Sequence, residues 1–322
     1  MNTKLASFAE TLFEKHPTRM FKREKGKFLD YCKTEFENLG YEVTIKADRN
    51  PLGFTSRNLV IGKPDADILF TAHYDTPARN GVLLAFNKIF GMLIGGLLFL
   101  IPLVFVLFLT SGFAYELETV AWWPEFMPIN LRQIIDIVVN VLLISLFVIK
   151  NPYNHNDNTS GVIGVYKMAQ LIAESPELKN RSAFVLFDHE EVFPGLLGSK
   201  AFAKWREINH PDKVNGVVIN FDCIGVGEVL SVMTKKEHDG WHEITEHFQN
   251  EGFDAKKIKS GLGLAGNSDH SSFPRGVSLL FQRRSLFKAL YIPNIHSSKD
   301  KVCDIAQIEH LCESLYNYVD DQ

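Results

Sequence analysis

ILFTAHYDTP, residues 68–77, joins a short apolar run directly to a histidine and an aspartate. Apolar runs without alternation form strands buried on both faces of a sheet. SAFVLF (182–187) followed by DHEE (188–191) repeats the pattern, and VVINF (217–221) followed by Asp222 repeats it again. Each run leads into residues that can bind a metal or move a proton. Open α/β sheets bind ligands beyond the carboxyl ends of their strands, so the three endings point to one site. Working outward, YEVTIK, NLVIG, EVLSVM and VSLLFQ read as further strands. Ser160–Ala173, Gly198–Trp205, Gly240–Asn250 and Ile305–Tyr318 read as helices. The expected fold class is α/β, a central mixed β-sheet flanked by helices on both faces, with an inserted α-helical hairpin.

Five segments far apart in the chain each supply a residue type that a pair of metal ions needs. They are His73, Asp157 in NHNDNTSGV, the Glu190-Glu191 pair, Asp222, and His296 in PNIHSSKD. Zinc accepts imidazole nitrogen and carboxylate oxygen, and two ions in one hydrolytic site lie roughly 3.5–4 Å apart. A carboxylate is the natural bridge, since each oxygen can face one ion. We assign Asp157 as the bridge, His73 and Asp222 to one ion, and Glu191 and His296 to the other. Glu190 is left as the general base, and Asp75 is placed to accept the free imidazole N–H of His73. Alone, each residue has an ordinary explanation: a polar strand end, a helix N-cap, a solvated first turn or a loop histidine. Their joint occurrence favours the metal site.

The blocks TAHYDTP, NDNTSGV, DHEEVFPGLLGSKAF, NFDCIG, SDHSSF and IHSSKD, in this order, resemble the aminopeptidase Y and bacterial leucyl aminopeptidase family of co-catalytic zinc exopeptidases. The likeness spans about residues 55–310, apart from one insertion. It implies the same metal assignments, Glu190 as base, and a cis peptide after Asp157. It also places SDHSSF, with Asp269 and His270, near the substrate pocket. The chain departs from many relatives in showing no signal peptide. Leu5, Phe8, Leu12 and Phe13 instead predict an amphipathic N-terminal helix packed on the catalytic domain.

The other departure lies between the HYD and NDN blocks, where residues 76–156 replace what the resemblance implies is a short connection. Ile89 to Leu109 carries no charge, and at about 1.5 Å per residue it would span roughly 30 Å, the thickness of a bilayer core. Gly91 and Gly95 form a GxxxG that permits close helix packing, and Pro102 can kink the run. Leu131 to Ile149 is less clean, because Arg132, Asp136 and Asn140 share a helical face. It can span the membrane or lie along it. His73 and Asp157 flank the insertion and must meet on one side, so a hairpin is expected. Tyr115, Trp122 and Trp123 suit an interface. Arg79, Lys88 and Lys150 on the catalytic side, against Arg132 in the connection, place that side in the cytosol.

The expected organisation is a discontinuous catalytic domain (1–85 and 151–322) interrupted by a hydrophobic hairpin over 86–150 that meets the bilayer through residues 89–149. A net charge of −4 carries no nucleic-acid signature, and four cysteines without CxxC spacing read as reduced thiols. The reading is a membrane-anchored zinc aminopeptidase acting on peptides with a free N-terminus, its two ions zinc, with cobalt or manganese as substitutes. The alternatives are a carboxypeptidase or amidase on the same scaffold, and an inactive membrane scaffold. A glutaminyl-cyclase-like activity fits less well, since five ligands favour two metals over one.

Overall fold

The computed structural model describes residues 3–51, 53–79, 150–191, 195–260 and 267–322, with separate positions inside 85–104 and 134–149. The strands are β1 (Val43–Arg49), β2 (Thr55–Gly62), β3 (Ile68–His73), β4 (Ser182–Phe187), β5 (Val217–Phe221), β6 (Val229–Thr234), β7 (Ala255–Lys259), β8 (Gly276–Arg284) and β9 (Leu290–Tyr291). They form one sheet in the order β1-β2-β4-β3-β5-β8-β6-β7, with β9 paired to β8. The central β4-β3-β5-β8 neighbours run parallel, while β1-β2, β2-β4 and β6-β8 are antiparallel. The sheet is therefore mixed, as expected. β3 and β4 are buried at every position, which is why they read as unbroken apolar runs.

The helices are α1 (Thr3–Lys15), α2 (Lys22–Glu37), α3 (Gly161–Ala173), α4 (Pro176–Arg181), α5 (Leu197–Asn209), α6 (Asp239–Asn250) and α7 (Ile305–Asp320). The larger core cluster joins α1, α2, α3, α6 and α7 to the sheet. A second cluster, with Phe187, Phe202 and Phe273, packs α5 on the sheet. The N-terminal helix follows its predicted pattern: Leu5, Phe8 and Leu12 are buried, and the Phe8 ring stacks on Tyr166 of α3 at 3.9 Å. Burial of each such side chain is worth about 1.5–3 kcal/mol, so α1 is firmly held. All four cysteines are free, and Cys32, Cys223 and Cys312 are buried.

The two ends of the insertion meet. Ala78 forms an antiparallel bridge with Lys150, and the Arg79 N–H donates to the Ile149 carbonyl at 2.8 Å. Most of residues 86–150, including the Trp122-Trp123 connection, lies outside the described residues. Among the described residues no helix is long and apolar enough to cross a membrane. The membrane-crossing hairpin expected from the sequence therefore finds no support in the elements described.

Candidate metal centre

Four of the expected site residues stand at or just past the end of a strand. His73 ends β3, Glu190 and Glu191 follow β4, and Asp222 follows β5. Asp157 sits in an irregular helical turn, His155–Ser160, that leads into α3, and His296 lies in the loop after β9. The parallel register of β4, β3 and β5 brings the first three endings side by side.

The donor atoms gather into two groups that share one residue. His73, Asp157 and Asp222 form one; Asp157, Glu191 and His296 form the other, with ligand atoms in each group within 4.8 Å. His73 Nε2 lies 3.6 Å from Asp157 Oδ1 and 3.9 Å from Asp222 Oδ1. His296 Nε2 lies 3.1 Å from Asp157 Oδ2 and 3.3 Å from Glu191 Oε2. The two oxygens of Asp157 thus face opposite ways, one toward each histidine. Asp157 Oδ2 is buried, and its nearest charged neighbour is the His296 imidazole. Glu190 also stands near His73 and Glu191 as a third donor group.

The charge balance fits cations. Asp75, Asp157 and Asp269 are buried here beside Glu190, Glu191 and Asp222, against His73 and His296 and, behind them, Arg19 and a Lys25 already paired with Asp188. Burial, reinforced by Glu191, Asp222 and Asp269, pushes the Glu190 carboxyl well above its usual range, against the pull of His73. Burial likewise raises Glu191, despite His296. Burial works against charge on His73, yet Glu190, Asp222 and Asp75 lift its pKa well up. Divalent ions would relieve this crowding of negative charge, and the N/O donor set suits zinc.

The supporting contacts explain the placement, and here the structure differs from the expectation for Asp75. The Asp75 carboxylate stands 3.7 Å from His73 Nδ1, and it is the Asp75 backbone carbonyl that lies within hydrogen-bond reach, at 3.1 Å. Donation from Nδ1–H to this carbonyl would leave Nε2 free toward Asp157 and Asp222. The carboxylate instead accepts the backbone N–H groups of Glu190 and Glu191, both at 3.0 Å. Although burial opposes its ionisation, Lys25, His73 and the Glu190 amide hold Asp75 below the usual carboxylate range.

Asp300, the last residue of the IHSSKD block, accepts the N–H groups of Asn156 and Asp157 at 2.9 and 3.0 Å. The Asn158 side chain ties the same turn to the end of β5: it donates to the Phe221 carbonyl and accepts from Cys223 N–H. The peptide between Asp157 and Asn158 is cis, as the resemblance implies. A Cβ on Gly161 would come within 2.4 Å of Asn158 Oδ1 and the Phe221 carbonyl, so only glycine fits this turn. His189, Cys223 and His296 all adopt positive φ, and such backbone concentrates at functional sites.

Two buried cations brace the site from behind. Arg19, fully buried between α1 and α2, donates to the Tyr74 carbonyl and to Thr159 Oγ1, and so links the His73 and Asp157 segments. Lys25 pairs with Asp188 at 2.5 Å. Neither is evident in the sequence, where both sit in a charged stretch that reads as solvated surface. Asp269 is buried beside the site, and burial raises its carboxyl to about 7.

The family model described as peptidase family M28 matches residues 150–313. No curated protein matches the sequence. Among solved structures, glutaminyl cyclase from Tannerella forsythia is similar with a TM-score of 0.64 at 14% identity, covering 99% of this chain and 98% of that one. A Zn-dependent exopeptidase from Parabacteroides distasonis gives 0.61 at 13% identity, covering 100% and 98%. A leucine aminopeptidase precursor from Bacteroides thetaiotaomicron gives 0.58 at 15% identity, covering 99% and 95%. At these identities the likeness is one of fold.

Proposed function

The chain belongs to peptidase family M28, and on that premise we propose that it is a dinuclear zinc exopeptidase, an aminopeptidase that removes N-terminal residues from peptides. The observation that carries this reading is the pair of donor groups sharing Asp157. Asp157 would be shared between the two ions, His73 and Asp222 would hold one, and Glu191 and His296 would hold the other. When bound, the ions would polarise the scissile carbonyl and make water nucleophilic at neutral pH.

The protein's own groups do the rest. Glu190 takes the proton of the attacking water and delivers it to the leaving amine, a role suited to a carboxyl raised toward working pH. Asp75 fixes the backbone of Glu190 and Glu191, so that base and ligand keep their spacing. Asp300 fixes the bridging turn. SDHSSF, with Asp269 and His270, borders the substrate.

Aminoacyl anilides and free dipeptides should be cleaved, and their N-acetylated forms should not. Release from the carboxyl end of blocked peptides would make the enzyme a carboxypeptidase. Loss of ammonia from N-terminal glutamine, without peptide cleavage, would make it a glutaminyl cyclase instead.

Residues 86–150 are proposed to anchor the catalytic domain in a membrane as a helical hairpin. The uncharged run Ile89 to Leu109 motivates this proposal, and the described positions add the exposure of its apolar side chains. Ile94, Leu97, Ile101 and Val104, spaced to share one helical face, are all exposed. So are Ile134, Ile137, Val138 and Val141 in the returning arm. Exposed stripes of this kind call for an apolar surrounding. Single cysteines in Ser111–Glu125 that react with an impermeant reagent in intact cells would place the catalytic domain in the cytosol. A chain that stays in solution without detergent would exclude the anchor.

A further inference from the structure

Around the root of the insertion lie apolar side chains that the catalytic reading leaves unused. The β8–β9 turn carries Leu286 at 77% exposure and Phe287 at 65%, and Phe21 at the start of α2 is 50% exposed. These residues are not scattered. The Leu286 N–H donates to the Lys88 carbonyl at 3.2 Å, and the Phe287 ring stacks on Phe90 with centroids 5.8 Å apart. Lys150, at the other end of the insertion, lies over the Phe21 ring at 4.8 Å and pairs with Glu24. Both sides of the root are therefore flanked by an exposed aromatic ring from the catalytic domain.

The charges around these rings are basic. Lys288 is exposed beside Phe287, Arg283 and Arg284 are exposed three and two residues before Leu286, and Lys22 and Arg23 are exposed next to Phe21. Arg283 and Arg284 have acidic neighbours in Glu228 and Asp254, at 3.7 and 3.0 Å. Among the described residues Lys22, Arg23 and Lys288 have no acidic partner. Aromatic rings bordered by lysine and arginine suit the boundary between acyl chains and anionic headgroups. β8 runs parallel to β5, so its turn lies at the same end of the sheet as Asp222.

We propose that Phe21, Leu286 and Phe287, with the adjacent lysines and arginines, form a collar that seats the catalytic domain on an anionic bilayer surface. The proposal rests on the membrane reading of the insertion. It adds an orientation: the metal centre opens next to the lipid surface, where it meets peptide N-termini held close to the membrane. The occupant favoured is lipid because the collar touches the insertion at Lys88 and Phe90, beside the exposed Ile89, and because Lys22, Arg23 and Lys288 have no acidic partner among the described residues.

The test uses the full chain with Cys303→Ser, since the other three cysteines are buried. A fluorophore is placed by Phe287→Cys, and in a second protein by Asp212→Cys at the opposite end of β5. Both are reconstituted into phosphatidylcholine–phosphatidylserine vesicles containing headgroup-proximal spin-labelled lipid. The collar predicts loss of most of the emission at position 287 and little loss at 212. A chain that enters vesicles but is quenched equally weakly at both positions would overturn the collar while leaving the anchor intact. A chain that never associates with vesicles would overturn both. A blue-shifted but unquenched label at 287, with cross-links between copies, would assign the surface to a second copy and overturn the lipid proposal.

Discussion

Asp75→Asn tests how the site is held together. Asp75 is fully buried, and its two oxygens accept the N–H groups of Glu190 and Glu191, each at 3.0 Å. Asparagine keeps the shape but has one accepting oxygen, so its NH2 group must face one of those N–H donors. At least one charge-assisted hydrogen bond is lost, worth about 1.5–3 kcal/mol. If that loss falls on the placement of Glu190 and Glu191, the rate drops roughly 10–150-fold. Zinc affinity weakens by about 10–100-fold, because Glu191 is displaced with its backbone. The assays are kcat and KM on an aminoacyl anilide, and zinc affinity by competition with a chelator. A urea melt confirms that the variant folds. A folded Asp75→Asn protein with unchanged kcat and zinc affinity would refute the idea that this carboxylate sets the Glu190-Glu191 geometry.

Glu190→Gln should retain metal and lose about 10²–10⁴-fold in kcat, whereas Glu191→Gln should also lose metal on dialysis; the reverse pattern would exchange the two roles. Arg19→Met leaves the Tyr74 carbonyl without its donor and should lower stability by about 2–4 kcal/mol in urea. Arg19→Lys should recover only part of this, because an ammonium cannot reproduce the guanidinium fork. Burial lowers the His270 pKa to about 4. The folded protein therefore refuses a proton that the unfolded chain accepts near pH 6.5. His270 then makes no demand on stability above pH 6.5, and its protonation costs stability progressively as pH falls to about 4. The total is about 3 kcal/mol, and His270→Gln should remove this component from the pH profile of unfolding free energy.

The parts of the fold legible in the sequence are those where one physical rule acts alone. β3, β4 and β5 are flanked on both faces, so their apolar runs are unbroken and their endings mark the site. β7, with the sequence AKKIK, is less legible because it is an edge strand whose exposed lysines resemble a loop or helix surface. The residues that gather into the donor groups were legible because their types are visible in the sequence whatever the packing. The direction of a side chain is not fixed by spacing, and Asp75 shows this. Two residues after His73, it sends its carboxylate to the Glu190-Glu191 backbone and leaves its carbonyl to the imidazole. Arg19 and Lys25 are hidden for the same reason: HPTRMFKREKGK reads as a solvated charge run, and only the packing of α2 turns these two inward.

The central claim is a pair of ions bridged by Asp157, and the direct measurement is the metal content of purified, active protein together with anomalous scattering from its crystals. The account predicts two zinc ions per chain, one beside His73 and Asp222 and one beside Glu191 and His296. It also predicts that Asp157→Asn depletes both, since each donor group contains that residue. One ion per chain held by Asp157, Glu191 and His296 in a fully active enzyme, with His73 and Asp222 contacting no metal, would contradict it.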